Sequence, residues 1–179
     1  MRQSPQREVN KVIIFRVVGP FKVRRSHESG GRIIADENVR EFWQSYGKYA
    51  DYRGCYVFGR RAGKGFTPGY VGKATKGLKQ EIFTPDKLNK YQKFLIQRKK
   101  GAPIFFFVLA PVRKGKANLK QIMKVEKYLV NLGVTANPKL INQHYTNPER
   151  WGIRGLIRGG QGKVARGIGD FRQMMGITF

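Results

Sequence analysis

The chain is poor in the residues that build disulfides, metal clusters and membrane spans. Cys55 is its only cysteine, so no disulfide can form within the chain, and its two histidines lack the spacing of a zinc site. The longest apolar run, IFFFVLAPV, is too short to cross a bilayer, and the first ten residues are too polar for a secretory signal. We therefore expect a protein of a reducing, cytoplasmic compartment that has no membrane partner.

Acidic residues are also scarce. The chain has 11 Asp and Glu against 36 Lys and Arg, for a formal net charge of +25. Such an excess repels itself in the folded state, so a partner of opposite charge is expected to offset it. A membrane-binding protein usually concentrates its charge on one amphipathic helix, whereas here the charge is spread along the whole chain. Nucleic acid is the favoured partner, because phosphate binding scales with the number of Lys and Arg contacts.

The chain has enough apolar material for a core despite this charge. Its 179 residues suit one domain, or one domain with a small appendage, and 40% of them are hydrophobic. A chain of this length buries roughly 70% of its unfolded surface, so it needs no disulfide or metal to fold. We expect a globular protein.

Local patterns predict alternating strands and helices. KVIIFRVVG (11–19) is typical of a strand, and residues 35–49 predict a helix behind the cap Asp36. GCYVFG and YVGK, joined by a glycine-bearing loop, predict an antiparallel hairpin, and residues 103–111 predict a central strand. Thr84 and Pro85 favour the start of a helix whose inner face carries Leu88, Tyr91 and Leu95.

The C-terminal third begins with a clear helical pattern that we expect to end at Gly133. From residue 146 onward the sequence is rich in Gly and Arg, with a possible last helix carrying Val164, Ile168, Phe171 and Met175. The arginines of this extension either form a solvated face or grip a nucleic-acid backbone, and the overall charge favours the grip. They are Arg150, Arg154, Arg158, Arg166 and Arg172.

Glu126 is the acidic residue that requires an explanation. It follows Leu119 by seven residues, so it falls on the apolar stripe of its helix, in a stretch dense with lysine. A charge on an inward face is costly unless it is paired or binds a metal. The pattern leaves two readings open: an ion pair with a lysine, or a metal ligand.

Two tyrosines flank the predicted hairpin loop. Side chains alternate along a strand, so Tyr56 and Tyr70 can lie near one another on one face. They are either core aromatics or part of a site, and Gly54, Gly69 and Gly72 leave room for a close approach by a backbone or a ligand.

The loop between these tyrosines, RRAGKG, is basic but lacks the spacing of a phosphate-binding P-loop. We interpret it as a hairpin tip that contacts a nucleic-acid backbone through Arg60, Arg61 and Lys64.

Taken in order, GCY, GYVG, VEKYLVNLG and NPKLIN resemble the GIY-YIG nuclease superfamily over residues 54–142. The resemblance implies an α/β fold: a small, mostly antiparallel sheet flanked by helices. It divides the chain into an N-terminal strand and helix (1–53), a nuclease-like core (54–145) and a basic C-terminal extension (146–179).

The resemblance also implies roles for individual residues. Tyr56 and Tyr70 match the two motif tyrosines, one of which helps to activate water as a base. Lys73 matches a lysine that assists the neighbouring tyrosine, Glu126 matches the carboxylate that binds one divalent metal, Mg²⁺ or Mn²⁺, and Asn142 matches the asparagine that braces the site. A metal in such a site polarises the phosphate and stabilises the leaving oxygen.

The sequence departs from the family on the helix after the second motif. An arginine is expected there, but the chain has Gln80 and Glu81. Lys79 or Lys87 can supply charge, although lysine cannot reproduce the bidentate contact of a guanidinium with phosphate. Three alternatives follow: another cation substitutes, Glu81 adds a second metal ligand, or the protein binds without cutting.

The functional prediction is therefore a metal-dependent nuclease that hydrolyses phosphodiester bonds, in DNA more than in RNA. Its residues for gripping nucleic acid are predicted to be Arg60, Arg61, Lys64, Lys79, Lys87, Arg154 and Arg158. The alternative is a protein of the same fold that binds nucleic acid and has lost catalysis. A structural part of a ribonucleoprotein fits the charge but leaves Glu126 and the tyrosines unexplained.

Overall fold

The computed structural model describes residues 13–26, 33–97, 101–111, 118–142, 144–145 and 175. By internal contacts the chain divides into two compact units, Met1–Thr146 and Asn147–Phe179. The predicted last helix and Arg150, Arg154, Arg158, Arg166 and Arg172 lie outside the described residues, apart from Met175.

The first unit contains a four-stranded antiparallel sheet flanked by helices, which confirms the predicted α/β class. The strands lie in the order β1-β4-β2-β3. They are β1 (Arg16–Lys22), β2 (Gly54–Ala62), β3 (Gly65–Ala74) and β4 (Ala102–Leu109). The helices are α1 (Asp36–Tyr46), α2 (Leu78–Glu81), α3 (Pro85–Ile96) and α4 (Leu119–Ala136), with a 3₁₀ turn at Gly47–Tyr49.

The predicted hairpin is confirmed, and its register sets the site. β2 pairs with β3 from Gly54 opposite Ala74 to Ala62 opposite Gly65, with an irregularity after Phe58. Tyr56 lies opposite Gly72 and Phe58 lies opposite Tyr70, so the two tyrosines share one face, as predicted. Their ring centroids are 6.2 Å apart.

One face of the sheet builds an aromatic core with the first three helices. Phe105 and Phe107 of β4 meet Phe42 of α1, and Phe58 of β2 stacks on Tyr91 of α3 at 4.1 Å between ring centroids. The predicted start of α3 is confirmed, because Thr84 is its N-cap and Pro85 its first residue. Its predicted inner residues Leu88, Tyr91 and Leu95 are buried.

The other face is partly covered by α4. Ile122 packs on Cys55 and Val108, while Val130 packs on Val71. The inward position of Glu126 is confirmed, since it is buried with Ile122 and Val130. Leu119, which the sequence placed on the same stripe, is instead 48% exposed, and Met123 is 46% exposed. The buried stripe follows Ile122, Glu126, Val130 and Gly133.

Three predicted boundaries were wrong. α4 does not end at Gly133 but continues to Ala136, because this glycine packs inside the helix against Leu140, whose Cδ2 would lie 3.1 Å from an added Cβ. β1 begins at Arg16, well after the predicted start at residue 11, and continues to Lys22. The cap of α1 is Ala35, one residue before the predicted Asp36.

No helix in the described part of the chain combines the length and apolar character that crossing a bilayer requires.

Candidate functional site

The edge strand β3 positions the candidate site. Segment 137–142 runs along its open edge, where the backbone N–H of Ile141 donates to the carbonyl of Gly69 at 2.9 Å. The side chain of Asn137 donates to the Pro68 carbonyl at 2.7 Å. An unpaired strand edge exposes backbone donors and acceptors, and this segment satisfies several of them.

Asn142 completes this cover. Its Oδ1 accepts from the Val71 N–H at 2.9 Å and its Nδ2 donates to the Val71 carbonyl at 2.8 Å. One amide thus satisfies both backbone groups of one edge residue, as a neighbouring strand would. Asn142 therefore braces β3 beside the two tyrosines.

A cleft of about 350 Å³ opens at this edge. Because side chains alternate along a strand, Tyr70 and Lys73 of β3 leave opposite faces of the sheet, yet both line the cleft at its edge. The other lining residues come from α2, α3, α4 and the segment after it: Glu81, Lys87, Lys90, Glu126, Asn142, His144 and Tyr145.

Glu126 and Lys73 form an ion pair in this cleft. Lys73 Nζ donates to Glu126 Oε2 at 2.8 Å, and the side chains are 37% and 11% exposed. The hydrogen bond to Glu126 raises the pKa of Lys73 above its ordinary value. The carboxylate that the sequence singled out is thus paired, and the ammonium stays charged over the working pH range.

Tyr70 is held by a lysine from α3. Lys87 Nζ donates to the Tyr70 hydroxyl at 2.9 Å. The ammonium of Lys90 lies 5.4 Å from the centroid of the same ring and pairs with Asp86 at 2.9 Å. Burial lowers the pKa of Lys87, but its hydrogen bond to Tyr70 and the proximity of Asp86 outweigh it, so the net pKa is raised. The cleft therefore presents a tyrosine hydroxyl beside permanent positive charge.

Tyr56 lies beneath this site and does not line the cleft. It is fully buried, and burial raises the pKa of its hydroxyl well above the ordinary value. An added Cβ at Gly72 would meet the Tyr56 hydroxyl, so this glycine makes room for the tyrosine, and Gly69 does the same for the ring of Phe94. The sequence suggested that these glycines make room for a ligand, but Gly69 and Gly72 instead make room for side chains of the protein.

Glu81 has a structural task as well as a place in the cleft. Its Oε1 accepts from the backbone N–H groups of Thr75 and Lys76 and from the Thr75 hydroxyl. The carboxylate thus holds the turn that leads from β3 into α2. Lys79, its neighbour on that helix, is exposed and does not line the cleft.

The basic hairpin tip lies at the far end of the strands. Arg60 and Arg61 belong to β2 and Lys64 to the turn, nine residues along the chain before Lys73. At about 3.3 Å per residue, this places the tip roughly 30 Å from the cleft end of β3. The structure brings together Tyr70, Lys73, Lys87, Glu126 and Asn142, but not the hairpin cations.

Sequence reasoning missed Lys90 and Tyr145, and of His144 it indicated only that the two histidines lack the spacing of a zinc site, whereas all three residues line the cleft. Lys87 and Lys90 flank the buried face of α3, which includes Tyr91. The helical periodicity of the sequence therefore already indicated that both lysines lie at the border of the core. Tyr145 has a left-handed backbone at φ 61°, which is uncommon outside glycine, and no sequence pattern indicated it.

The described residues contain no group of three or more His, Cys, Asp or Glu side chains able to hold a metal together. Cys55 is buried, and burial raises the pKa of its thiol to about 12, so it is not a reactive group of the site. Comparisons of the chain with protein-family models, with curated proteins and with solved structures found no match.

Proposed function

We propose that the chain is a metal-dependent nuclease of the GIY-YIG type that hydrolyses phosphodiester bonds, with DNA favoured over RNA as its substrate. The observation that carries the proposal is the convergence of Glu126, Tyr70, Lys73 and Lys87 on one cleft. A carboxylate on a mostly buried helix face is costly to keep, and here it faces a cavity instead of the core.

The donor set of the cleft fits a single Mg²⁺ or Mn²⁺ ion better than zinc. Glu126 and Glu81 are its two carboxylates, and neither cysteine nor a histidine pair accompanies them among the described lining residues. Magnesium is commonly held by one or two carboxylates together with waters and substrate phosphate oxygens. When bound, such an ion polarises the phosphate and stabilises the leaving oxygen.

Neutralising the phosphate and accepting the proton of water are the proposed tasks of the protein's own side chains. Lys87 and Lys73 keep their positive charge because their pKa values are raised, so both can neutralise a phosphate drawn into the cleft. Tyr70, whose oxygen accepts a hydrogen bond from Lys87, would act in its deprotonated form as the group within the cleft that takes the proton of an attacking water. Tyr56 remains protonated beneath it and supports the packing. Lys87 is thus the cation proposed to replace the missing arginine.

The test is cleavage of labelled single- and double-stranded DNA and RNA with Mg²⁺ or Mn²⁺, by the full chain and by Glu126→Gln. Removing one preorganised catalytic group costs on the order of 10²–10³ in rate, so Glu126→Gln should lose at least that much. Glu37→Gln makes the same chemical change on the exposed face of α1 and should retain full activity. Metal-dependent cutting that survives in Glu126→Gln contradicts the proposal.

A second function is favoured by a specific observation. No arginine lines the cleft among the described residues, and Lys73 already occupies one oxygen of Glu126. Both fit a protein that grips nucleic acid without cutting it. This alternative requires that the wild-type chain bind nucleic acid with a steep salt dependence, need no divalent ion and cleave none of the substrates.

A further inference from the structure

A small apolar recess lies on the sheet away from the cleft, near the hairpin tip. It measures about 150 Å³ and is lined by Val57, Gly59, Phe66, Thr67, Pro68, Ile104 and Phe106. Phe66 is 51% exposed, and its ring stands edge-on to that of Phe106 with centroids 5.9 Å apart. Among the described residues, the covering helix α4 packs on Cys55, Val71 and Val108, none of which lines this recess.

The recess carries an arginine on its exposed ring. The guanidinium carbon of Arg61 lies 5.7 Å from the Phe66 ring centroid, and the two residues are directly opposite in the β2–β3 register. Farther across the sheet, Lys22 of β1 is exposed and lies opposite Ile104, which lines the recess. A half-exposed aromatic ring thus has a cation within cation–π distance.

The charge on the strands of the sheet is of one sign. The four strands contain Arg16, Lys22, Arg60, Arg61 and Lys73 and no aspartate or glutamate. The turn of the hairpin adds Lys64 and no acid. An acidic or apolar protein segment would satisfy either the cations or the ring, whereas an unpaired nucleotide satisfies both, because it has a planar base and a phosphate.

We propose that Phe66, with Arg61 and Phe106, forms a binding site for the bases of unpaired nucleic acid, distinct from the cleft. The base stacks on the exposed ring of Phe66, and Arg61 contacts the adjoining phosphate. A duplex keeps its bases stacked on one another, so it uses the cations but not the ring. The surface confers a preference for single strands, and it does so independently of the proposed hydrolysis.

The test measures binding of the full chain to a labelled single strand and to a duplex of the same sequence, by fluorescence anisotropy in EDTA. Base–aromatic stacking contributes about 1–3 kcal/mol per base, so Phe66→Leu should weaken single-strand binding by roughly five-fold or more. Duplex binding should change by less than about two-fold, because phosphate contacts are kept. Tyr128→Leu alters an aromatic side chain that is 64% exposed on α4, and it should change neither affinity.

A second variant separates stacking from general hydrophobicity and from misfolding. Phe66→Trp offers a larger π surface and should bind single strands at least as tightly as the wild type. The proposal is overturned if Phe66→Leu binds single strands as tightly as the wild type, if it loses single-strand and duplex affinity equally, or if Phe66→Trp binds as weakly as Phe66→Leu. Each result leaves the Glu126-dependent cleavage test unaffected, so the two proposals fail separately.

Discussion

Lys73 and Glu126 join the edge strand β3 to helix α4 through an ion pair of 2.8 Å, and the two partners differ in exposure. The carboxylate is 11% exposed and the ammonium 37%. Removing the glutamate leaves a lysine that can turn toward water, whereas removing the lysine leaves a buried and unpaired carboxylate. The two single substitutions should therefore differ in cost.

Lys73→Met is expected to lower the free energy of unfolding by about 1–3 kcal/mol, below the usual range for breaking a buried pair because solvent screens Lys73. Glu126→Gln should cost less, and the double variant should cost less than the sum of the two. Because the pairing raises the pKa of Lys73, this stabilisation is fully present below the ordinary lysine pKa and is lost only as pH rises past it. Urea unfolding at neutral pH measures the differences.

Lys79→Met provides the control for the ion pair, since this lysine is exposed on α2 and lies outside the cleft. Its free energy of unfolding should stay close to that of the wild type. Equal losses in Lys73→Met and Lys79→Met would show that the ion pair adds nothing.

Lys87→Gln should reduce cleavage by a factor on the order of 10², because it removes the ammonium that contacts the Tyr70 hydroxyl. Lys93→Gln changes the overall charge by the same amount from an exposed position of α3 and should keep wild-type activity. The turnover rate at saturating substrate distinguishes a slower chemical step from weaker substrate binding. If both variants slow cleavage equally, the loss reflects the total charge, and the contact of Lys87 with Tyr70 makes no specific contribution to catalysis.

The elements that the sequence predicted well are those whose signals are local. The hairpin follows from two β-rich runs around a glycine loop, and α3 follows from Thr84 and Pro85 before an apolar stripe. Both signals act between residues a few positions apart, where backbone preference and side-chain periodicity decide the outcome. The inward face of Glu126 was predictable for the same reason.

The features that the sequence did not predict depend on contacts between distant parts of the chain. The continuation of α4 past Gly133 required Leu140 to pack against that glycine. The pairing of β1 with β4 joins residues about ninety positions apart, which no local pattern specifies. Lys87 contacts Tyr70 only because β3 and α3 meet at the sheet edge, so the sequence offered Lys79 and Lys87 as equal candidates.

Gly72→Ala tests the packing beneath the cleft. A Cβ at this position would clash with the Tyr56 hydroxyl oxygen, and Tyr56 is fully buried. Overpacking of this kind costs about 1–3 kcal/mol. Gly47→Ala is the matched control: its φ of −54° is helical and an added Cβ meets nothing within 4 Å. Thermal unfolding should show a lower midpoint for Gly72→Ala alone, and equal midpoints would contradict the close contact with Tyr56.

Asn142→Ala tests the cover of the sheet edge. It removes the acceptor for the Val71 N–H and the donor to the Val71 carbonyl, and unsatisfied backbone groups at a part-buried site cost about 1–3 kcal/mol. Asn142→Asp keeps an acceptor but loses the donor, so its stability should fall between those of Asn142→Ala and the wild type. Asn89→Ala, at an exposed position of α3, should leave stability nearly unchanged.

Hydrogen exchange at the Val71 amide gives the sharper measurement for this contact. Val71 presents its N–H to the open edge of β3, where the Asn142 side chain is its acceptor, so exchange in Asn142→Ala should accelerate well beyond the change in global stability. In Asn142→Asp the amide should remain protected, because the carboxylate still accepts from it. If protection at Val71 persists in the alanine variant, another group must cover the edge, and the cleft would keep its shape without Asn142. If protection is lost in the alanine variant alone, Asn142 acts on the cleft by fixing the strand that carries Tyr70 and Lys73.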